Sequence, residues 1–530
     1  MKTRFGVLDT SYLSKRTKKA ILREKEVIHR AIDSVPIEDF EYNINDDPEI
    51  LDMGEKEYAY GVLIDFTKGR TDEDPGFITR IGNMDFHRTL PCHTHRGQLY
   101  NLVDKEVVAI LNPDNWNAAT DEFTSEEIQE MMENPANTIE VHTDKFYMTS
   151  KVFKRNSNGN AVKFKVMFSP VKINDRYIEV KEQANVFRKG RIVYLEDTDT
   201  LSFAANLADD EFTYGGYLQY AGGEVTANYN GDVPATGINR MQVRELCRAA
   251  DRECMNYYSY MYILYWAFVI EYCTLNCKKA VDNELDENGF HKGGLGIGMT
   301  SIDEGITSGV NYWHNSNTAN PECTARHIGV TNSLGNHSGE IVVEENNHTY
   351  HQNRYRGFEF PFGDIYGSYD GIAGFVNGQE NFRTYNTEDE EWQDNMDDTI
   401  YYYLTNDPDK YCDEPSEVIA NMDCVAQLAS YHKGNMYDDG YFKLAVVGDS
   451  GLLIPCETSD DYDGSLDFCA SQYGAGDYYY TEEYCSVPWM GGVAGDGSDA
   501  GLAYFVAAYG AADAPDAGGC SGSRFIADNE

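Results

Sequence analysis

Apolar and polar positions alternate with different periods along this chain. In residues 13–35, Ala20, Ile21, Val27, Ile28, Ala31 and Ile32 fall near helical spacing, which predicts one amphipathic helix stopped by Pro36. From residue 51 to 227 the pattern changes to that of strands. Apolar-rich or alternating runs at 58–66, 107–111, 145–154, 162–168 and 191–194 are bounded by turn signals such as Asn112-Pro113-Asp114-Asn115 and Asn156-Ser157-Asn158-Gly159. Residues 126–134 predict a short helix. The Gly-rich stretch from Tyr214-Gly215-Gly216 to Ala221-Gly222-Gly223 reads as a linker or a set of tight turns.

Two helices are predicted next. Asn239, with Gln242 three residues on, is a good N-cap, and Val243, Leu246, Cys247, Ala250 and Cys254 mark one face of the helix it opens. A second helix over 257–280 carries Met261, Leu264, Tyr265, Phe268, Tyr272 and Leu275 on one stripe, a core face rather than a cofactor box. After Gly289 the sequence is loop-rich, with few long periodic runs. Residues 388–398 form an acidic run expected to be a solvated insertion. The end, 489–530, sets short apolar islands among Gly, Ala, Asp and Ser.

Charge changes the picture most. The 530 residues carry 88 Asp and Glu against 43 Lys and Arg, a formal net charge of −45. Such a surface repels phosphate, which excludes nucleic-acid binding as the main role. Length implies two to four domains, because single cores stop growing at about 250–300 residues. The basic residues gather early: Lys15, Arg16, Lys18, Lys19 and Arg23 sit on the first helix, ahead of an acidic body. That helix reads as an anchor that docks on a partner, or else as a solvated tail. Tyrosine is abundant, 39 against 24 Phe, which suits either a recognition surface or simply a Tyr-rich β-protein. No apolar segment follows Met1, and the longest apolar run, 260–270, is half the roughly 20 residues a membrane span needs. The expectation is a soluble protein made in a cytoplasm, with its 12 Cys mostly reduced and buried.

Candidate chemistry is sparse. Cys92-His93-Thr94-His95, with His87 nearby, is the one metal-like cluster, and on a strand His93 and His95 would share a face toward Zn²⁺ or Cu²⁺. Asp460, Asp461 and Asp463 offer oxygen ligands for Ca²⁺ without the later Glu of an EF-hand. Gly293-Gly294-Leu295-Gly296-Ile297-Gly298 lacks the strand and helix of a phosphate cradle. No nucleophile–base set is legible, so no catalytic residue, metal or cofactor is assigned, and the expectation is a protein that is not an enzyme.

The segments Ser333-Leu334-Gly335-Asn336, Tyr355-Arg356-Gly357-Phe358-Glu359-Phe360-Pro361-Phe362-Gly363-Asp364-Ile365-Tyr366 and Asp370-Gly371-Ile372 form a pattern. It resembles phage virion proteins with a C-type lectin-like domain, similar to the variable proteins of diversity-generating retroelements in gut Bacteroidales phages. More distantly it resembles the formylglycine-generating-enzyme branch of that fold. The paired helices, Gly293-Gly294-Leu295-Gly296 and the upstream Thr79-Arg80-Ile81-Gly82-Asn83 and His87-Arg88-Thr89-Leu90-Pro91 fit the same resemblance, which covers residues 75–525. It departs from the oxidase members at Cys520, which stands alone where they have a late Cys pair.

The resemblance implies an α+β chain with a β-rich domain at 51–227 and a lectin-like domain at 228–530 with two helices and short twisted strands; the basic helical anchor at 1–50 lies outside it and is read from its charge alone. Its ligand surface would lie at 487–525. Framework residues there are Gly495, Gly501, Ala503, Phe505, Ala514-Pro515 and Gly522-Ser523-Arg524. The candidate ligand residues are Trp489, Asp496, Ser498, Asp499, Tyr504, Tyr509, Asp513, Asp516 and Gly518. The implied function is host-surface attachment by a fibre or decoration subunit of a tailed phage, on head or tail. The implied partner is a host glycan or protein, with the subunit a homo-oligomer, a trimer favoured; other virion proteins are partners through the N-terminal helix on the ground of its charge alone. A glycan-cleaving or oxidase enzyme of the same fold and a virion component without a ligand are the alternatives.

Overall fold

The computed structural model describes residue 45 and residues 47–296 with short interruptions at 69–77, 88, 91–92, 156–160, 206, 208–212, 222–223, 230–233, 237, 239, 283 and 288–289. Beyond them it describes 330–345, 348–362, 366–376 and, up to residue 528, the strands named below with a few adjoining residues. The chain divides into two compact units, 1–51 and 52–530. The helix predicted at 13–35 and its basic residues lie outside the described residues.

The second unit is β-rich, with few helices and several antiparallel sheets. It opens with α1 (Met53–Tyr58), started by a capping box in which the Asp52 side chain accepts from the Glu55 amide and the Glu55 side chain from the Asp52 amide. The predicted strands form as β1 (Tyr60–Asp65), β4 (Glu106–Ile110), β6 (Phe146–Arg155), β7 (Ala161–Ser169) and β10 (Arg191–Leu195), and the short helix as α2 (Ser125–Glu133). Between them stand strands that lack the pattern: β2 (Ile78–Gly82), β3 (Arg96–Asn101), β5 (Asn137–Thr143), β8 (Ile178–Val180), β9 (Gln183–Val186) and β11 (Thr200–Ala204). One sheet has the order β2-β1-β7-β6-β8.

The Gly-rich stretch is not a linker. It is β12 (Thr213–Ala221), paired antiparallel with β13 (Glu224–Tyr229) and parallel with β14 (Ala235–Thr236). Pairing on both sides supplies the backbone hydrogen bonds that local propensity does not promise.

The first of the two predicted helices is α3 (Arg240–Ala249), with Val243, Leu246 and Cys247 buried; Cys254 belongs instead to β15 (Glu253–Cys254). The second, α4, runs from Tyr257–Ser259 through a π-helical stretch, Tyr260–Tyr265, into Trp266–Tyr272. It ends there rather than at residue 280, because Cys273 turns left-handed (φ +52°). Every residue from Tyr260 to Tyr272 is buried, so α4 is a core helix on all sides rather than an amphipathic one. Trp266 lies edge-on to Phe164 of β7 and donates its indole N–H to the Gly451 carbonyl (2.6 Å).

Past residue 330 the chain holds more strands than its sequence promises. Gly339–Glu345 and His348–Tyr355 form a hairpin, as do Asp439–Val447 and Leu452–Ser459. Even the acidic run contributes a strand, Glu391–Asp394, paired with Arg383–Asn386. A further sheet joins Ile372–Val376, Ile400–Leu404, Val425–Gln427 and Tyr484–Ser486. The last strand, Phe525–Asp528, inserts between β9 and β15 to complete a six-stranded sheet with β5, β3 and β4, which spans the expected boundary at 227/228.

Candidate functional site

Much of the described part of the segments that carry the resemblance is buried: residues 335, 355, 357–362 and 370–372. Arg356 and Gly357 make the turn between His348–Tyr355 and Phe358–Glu359, both left-handed (φ +47° and +94°). At Gly357 the left-handed backbone favours glycine, and a Cβ would stand a tight 3.1 Å from the side chains of Trp116 and Val141. Arg356 is held from several directions. Its guanidinium donates to both carboxylate oxygens of Glu271 and to His93 Nδ1 (2.8 Å), its amide donates to Ser338 Oγ, and its carbonyl accepts from His95 Nδ1 (3.2 Å).

Glu271 is fully buried near the end of α4. Burial alone would raise its pKa, but Arg356 beside it, with His93 and His291 (Nε2 3.0 Å away), holds the carboxyl well below the usual carboxylate range. Arg80 crosses over from β2 to donate to the carbonyls of Ile270 and Glu271, capping the helix end, and stacks on Phe290. Burial keeps the three histidines neutral: it lowers His93, pushes His87 down to about 2, and with Arg356 takes His95 down to about 3.

His93 and His95 therefore do not share a strand face as a metal pair. They lie in the turn before β3, on two sides of Arg356, and the guanidinium occupies the place beside His93 and Glu271 that a cation would need. Cys92 lies outside the described residues, as do Asp460, Asp461 and Asp463. An ionised carboxylate whose oxygens already accept from an arginine and the His291 imidazole is built to hold strands and helix together, not to exchange protons. The other motif residues play similar parts. Asn336 Oδ1 accepts from the Gly97 amide (3.0 Å) and Trp116 Nε1 (2.8 Å), and buried Asp370 accepts from Arg244 and faces Arg240 at 3.4 Å.

From this core the chain builds a frame for its C-terminal region. Trp489–Met490 pairs with Gly367 and Ser368 on one side and with Phe505–Val506 on the other. Ser521–Gly522 runs parallel to Tyr366 and Gly367 in the same four-stranded sheet. Midway, α4 and the segment after it hold the chain: Tyr260 Oη donates to the Leu502 carbonyl (2.6 Å), and the Leu502 amide donates to Cys277 Sγ (3.4 Å) beyond the helix end. Of the candidate ligand residues, Trp489 stands on this sheet. Asp496, Ser498, Asp499, Tyr504, Tyr509, Asp513, Asp516 and Gly518 lie outside the described residues.

Among the described residues one set of three side chains places ligand atoms mutually within 4.8 Å: His142, Asp144 and Glu182. Sequence reasoning missed it. His142-Thr143-Asp144 is a weak signal by itself, and Glu182 joins it only through the pairing of β5 with β9, which sets Thr143 opposite Gln183. Cys247, Cys254, Cys273 and Cys277 take part in no disulfide, and burial pushes the Cys277 thiol up to about 11. Among the described residues no helix is long and apolar enough to cross a membrane. No protein-family model and no curated protein matches the sequence, so its function is read from the geometry above.

Proposed function

We propose that this chain is a virion structural protein of a tailed phage, a fibre or decoration subunit whose C-type lectin-like part presents the 487–525 segment to a host-surface glycan or protein. The supporting observation is the frame: within 489–522 the strands Trp489–Met490, Phe505–Val506 and Ser521–Gly522 belong to one four-stranded sheet, and Leu502 is held by Tyr260 of α4. A rigid scaffold that fixes both ends of a long segment lets the residues between change without unfolding the core, which is how binding loops are carried. The buried motif at 355–362 supports the same reading, since its residues serve the scaffold and leave recognition to the C-terminal segment. In this reading the basic N-terminal segment docks on other virion proteins, the subunit assembles as a homo-oligomer, a trimer favoured, and no catalysis is involved.

Adsorption tests it. Purified full-length protein is expected to compete with phage particles for host cells, and an antiserum against it to label those particles. Tyr504 is an aromatic among the candidate ligand residues, of the kind that carries binding energy. Tyr504→Ala is expected to weaken competition while stability stays within about 0.5 kcal/mol of the parent. Labelled particles with no competition by the parent protein would leave a virion component without a ligand. Particles that take no label would overturn the reading altogether.

A further inference from the structure

The set at His142, Asp144 and Glu182 is distant in sequence from the C-terminal frame and unused by the function proposed above. His142 is buried near the end of β5, held between Arg96 of β3 and Ala184 of β9 by strand pairing on both sides. Asp144 follows in the two-residue turn that leads into β6, and Glu182 immediately precedes β9. Both carboxylates are about half exposed, so the imidazole forms the floor of a site that solvent reaches from the carboxylate side.

The convergence of two carboxylates on one ring nitrogen bears on two accounts of this group. His142 Nε2 lies 3.2 Å from Asp144 Oδ1 and 3.1 Å from Glu182 Oε1. A single imidazole N–H points along one line and serves one acceptor well; here two carboxylates of like charge converge on it at nearly equal range. Metal–ligand bonds of about 2.0–2.2 Å place neighbouring ligands roughly 2.8–3.6 Å apart for angles between about 90° and 110°, and both nitrogen–oxygen separations fall in that range. A cation among the three atoms would bond all of them and relieve the repulsion between the carboxylates. One nitrogen and two carboxylate oxygens suit zinc or manganese better than calcium, which takes six to eight oxygens.

We propose that His142, Asp144 and Glu182 bind one divalent transition-metal ion, with Zn²⁺ the best fit, and that the ion ties the β5–β6 turn to the start of β9. Arg96 is its competitor. Its guanidinium stands 3.5 Å from Asp144 on a half-exposed side chain and can swing away when a metal arrives. Because Phe525–Asp528 pairs with β9, with Asp528 opposite Gln183, the ion would also steady the strand on which the chain ends.

The test is titration of the metal-stripped full-length protein with ZnCl₂ by calorimetry, with thermal unfolding alongside. A surface this acidic will collect cations diffusely, so the comparison is with variants. One tight site is expected in the parent, weakened more than about tenfold by Asp144→Asn with Glu182→Gln. Both positions are exposed, so the double variant is expected to fold where His142→Ala could fail. Arg96→Gln is expected to tighten the one site several-fold without adding a second. MnCl₂ should compete for the site and CaCl₂ at equal concentration should not. Identical isotherms for parent and double variant would overturn the proposal, and so would displacement of Zn²⁺ by equimolar Ca²⁺.

Discussion

Glu271 shows how much one buried charge can organise. It sits with Arg356, His93 and His291 around it and Arg80 on its backbone carbonyl, so it ties β2, α4 and the turn before β3 to the 355–358 turn. Removing the arginine would leave the carboxylate buried and uncompensated. Arg356→Ala is expected to destabilise by roughly 3–5 kcal/mol, and Arg356→Lys to recover only part of this, since an ammonium cannot donate to both oxygens in the same fork. Chemical denaturation of the three proteins at neutral pH checks it. The histidines add a pH dependence. Their folded pKa values lie below the unfolded value near 6.5, at about 2 for His87 and about 3 for His95, with His93 also lowered. Their contribution is fully present above pH 6.5 and is lost as pH falls toward the folded values, because the unfolded chain takes up protons that the folded one refuses. Each adds about 1.4 kcal/mol per pH unit within that window. Denaturation midpoints at pH 7, 6 and 5 are expected to fall steeply, and His95→Gln to reduce the slope by one proton whatever it does to absolute stability.

Among the elements, the turn at 356–357 and the helix α4 are where local preference and tertiary demand meet. Gly357 must be left-handed with Trp116 and Val141 at its back. Gly357→Ala is expected to cost about 1–3 kcal/mol by strain and crowding together, read as a lowered unfolding midpoint. A π-helical stretch in a fully buried helix is a local departure of the kind often found near working parts of proteins. Here its first residue, Tyr260, reaches Leu502. Tyr260→Phe is expected to lose about 1 kcal/mol with the hydrogen bond. It should also speed amide exchange around residues 501–506 before it changes exchange anywhere else. Exchange that accelerates uniformly would show that α4 does not pin this segment in particular.

Over the whole molecule, the closure made by Phe525–Asp528 matters most. This strand fills the gap between β9 and β15, and removing it would open two edges with unpaired N–H and C=O groups. Deleting residues 525–530 is expected to lower the unfolding temperature and cause concentration-dependent association, seen by light scattering. A truncated protein that stays monomeric at the parent's melting temperature would show that the strand is dispensable.

What the sequence determined by itself was whatever rests on neighbours. Alternation placed β1, β6, β7 and β10, and Thr124 ahead of Glu127 makes the capping box that starts α2. An unbroken aromatic and aliphatic run made α4 a core helix. Its end was not legible, because the left-handed Cys273 and the Arg80 cap depend on a strand 190 residues away. The polar strands were hidden for the same reason. Glu140 can sit buried in β5 only because Gln98 and Arg252 both donate to it, and Arg252 in turn stacks on Tyr100. The Arg356–Glu271 pair spans 85 residues, and Glu182 is brought beside Asp144 by strand register alone. Buried polar groups are stable only when distant partners satisfy them, so tertiary structure decided these sites, while apolar periodicity, which needs no particular partner, could be read from the chain.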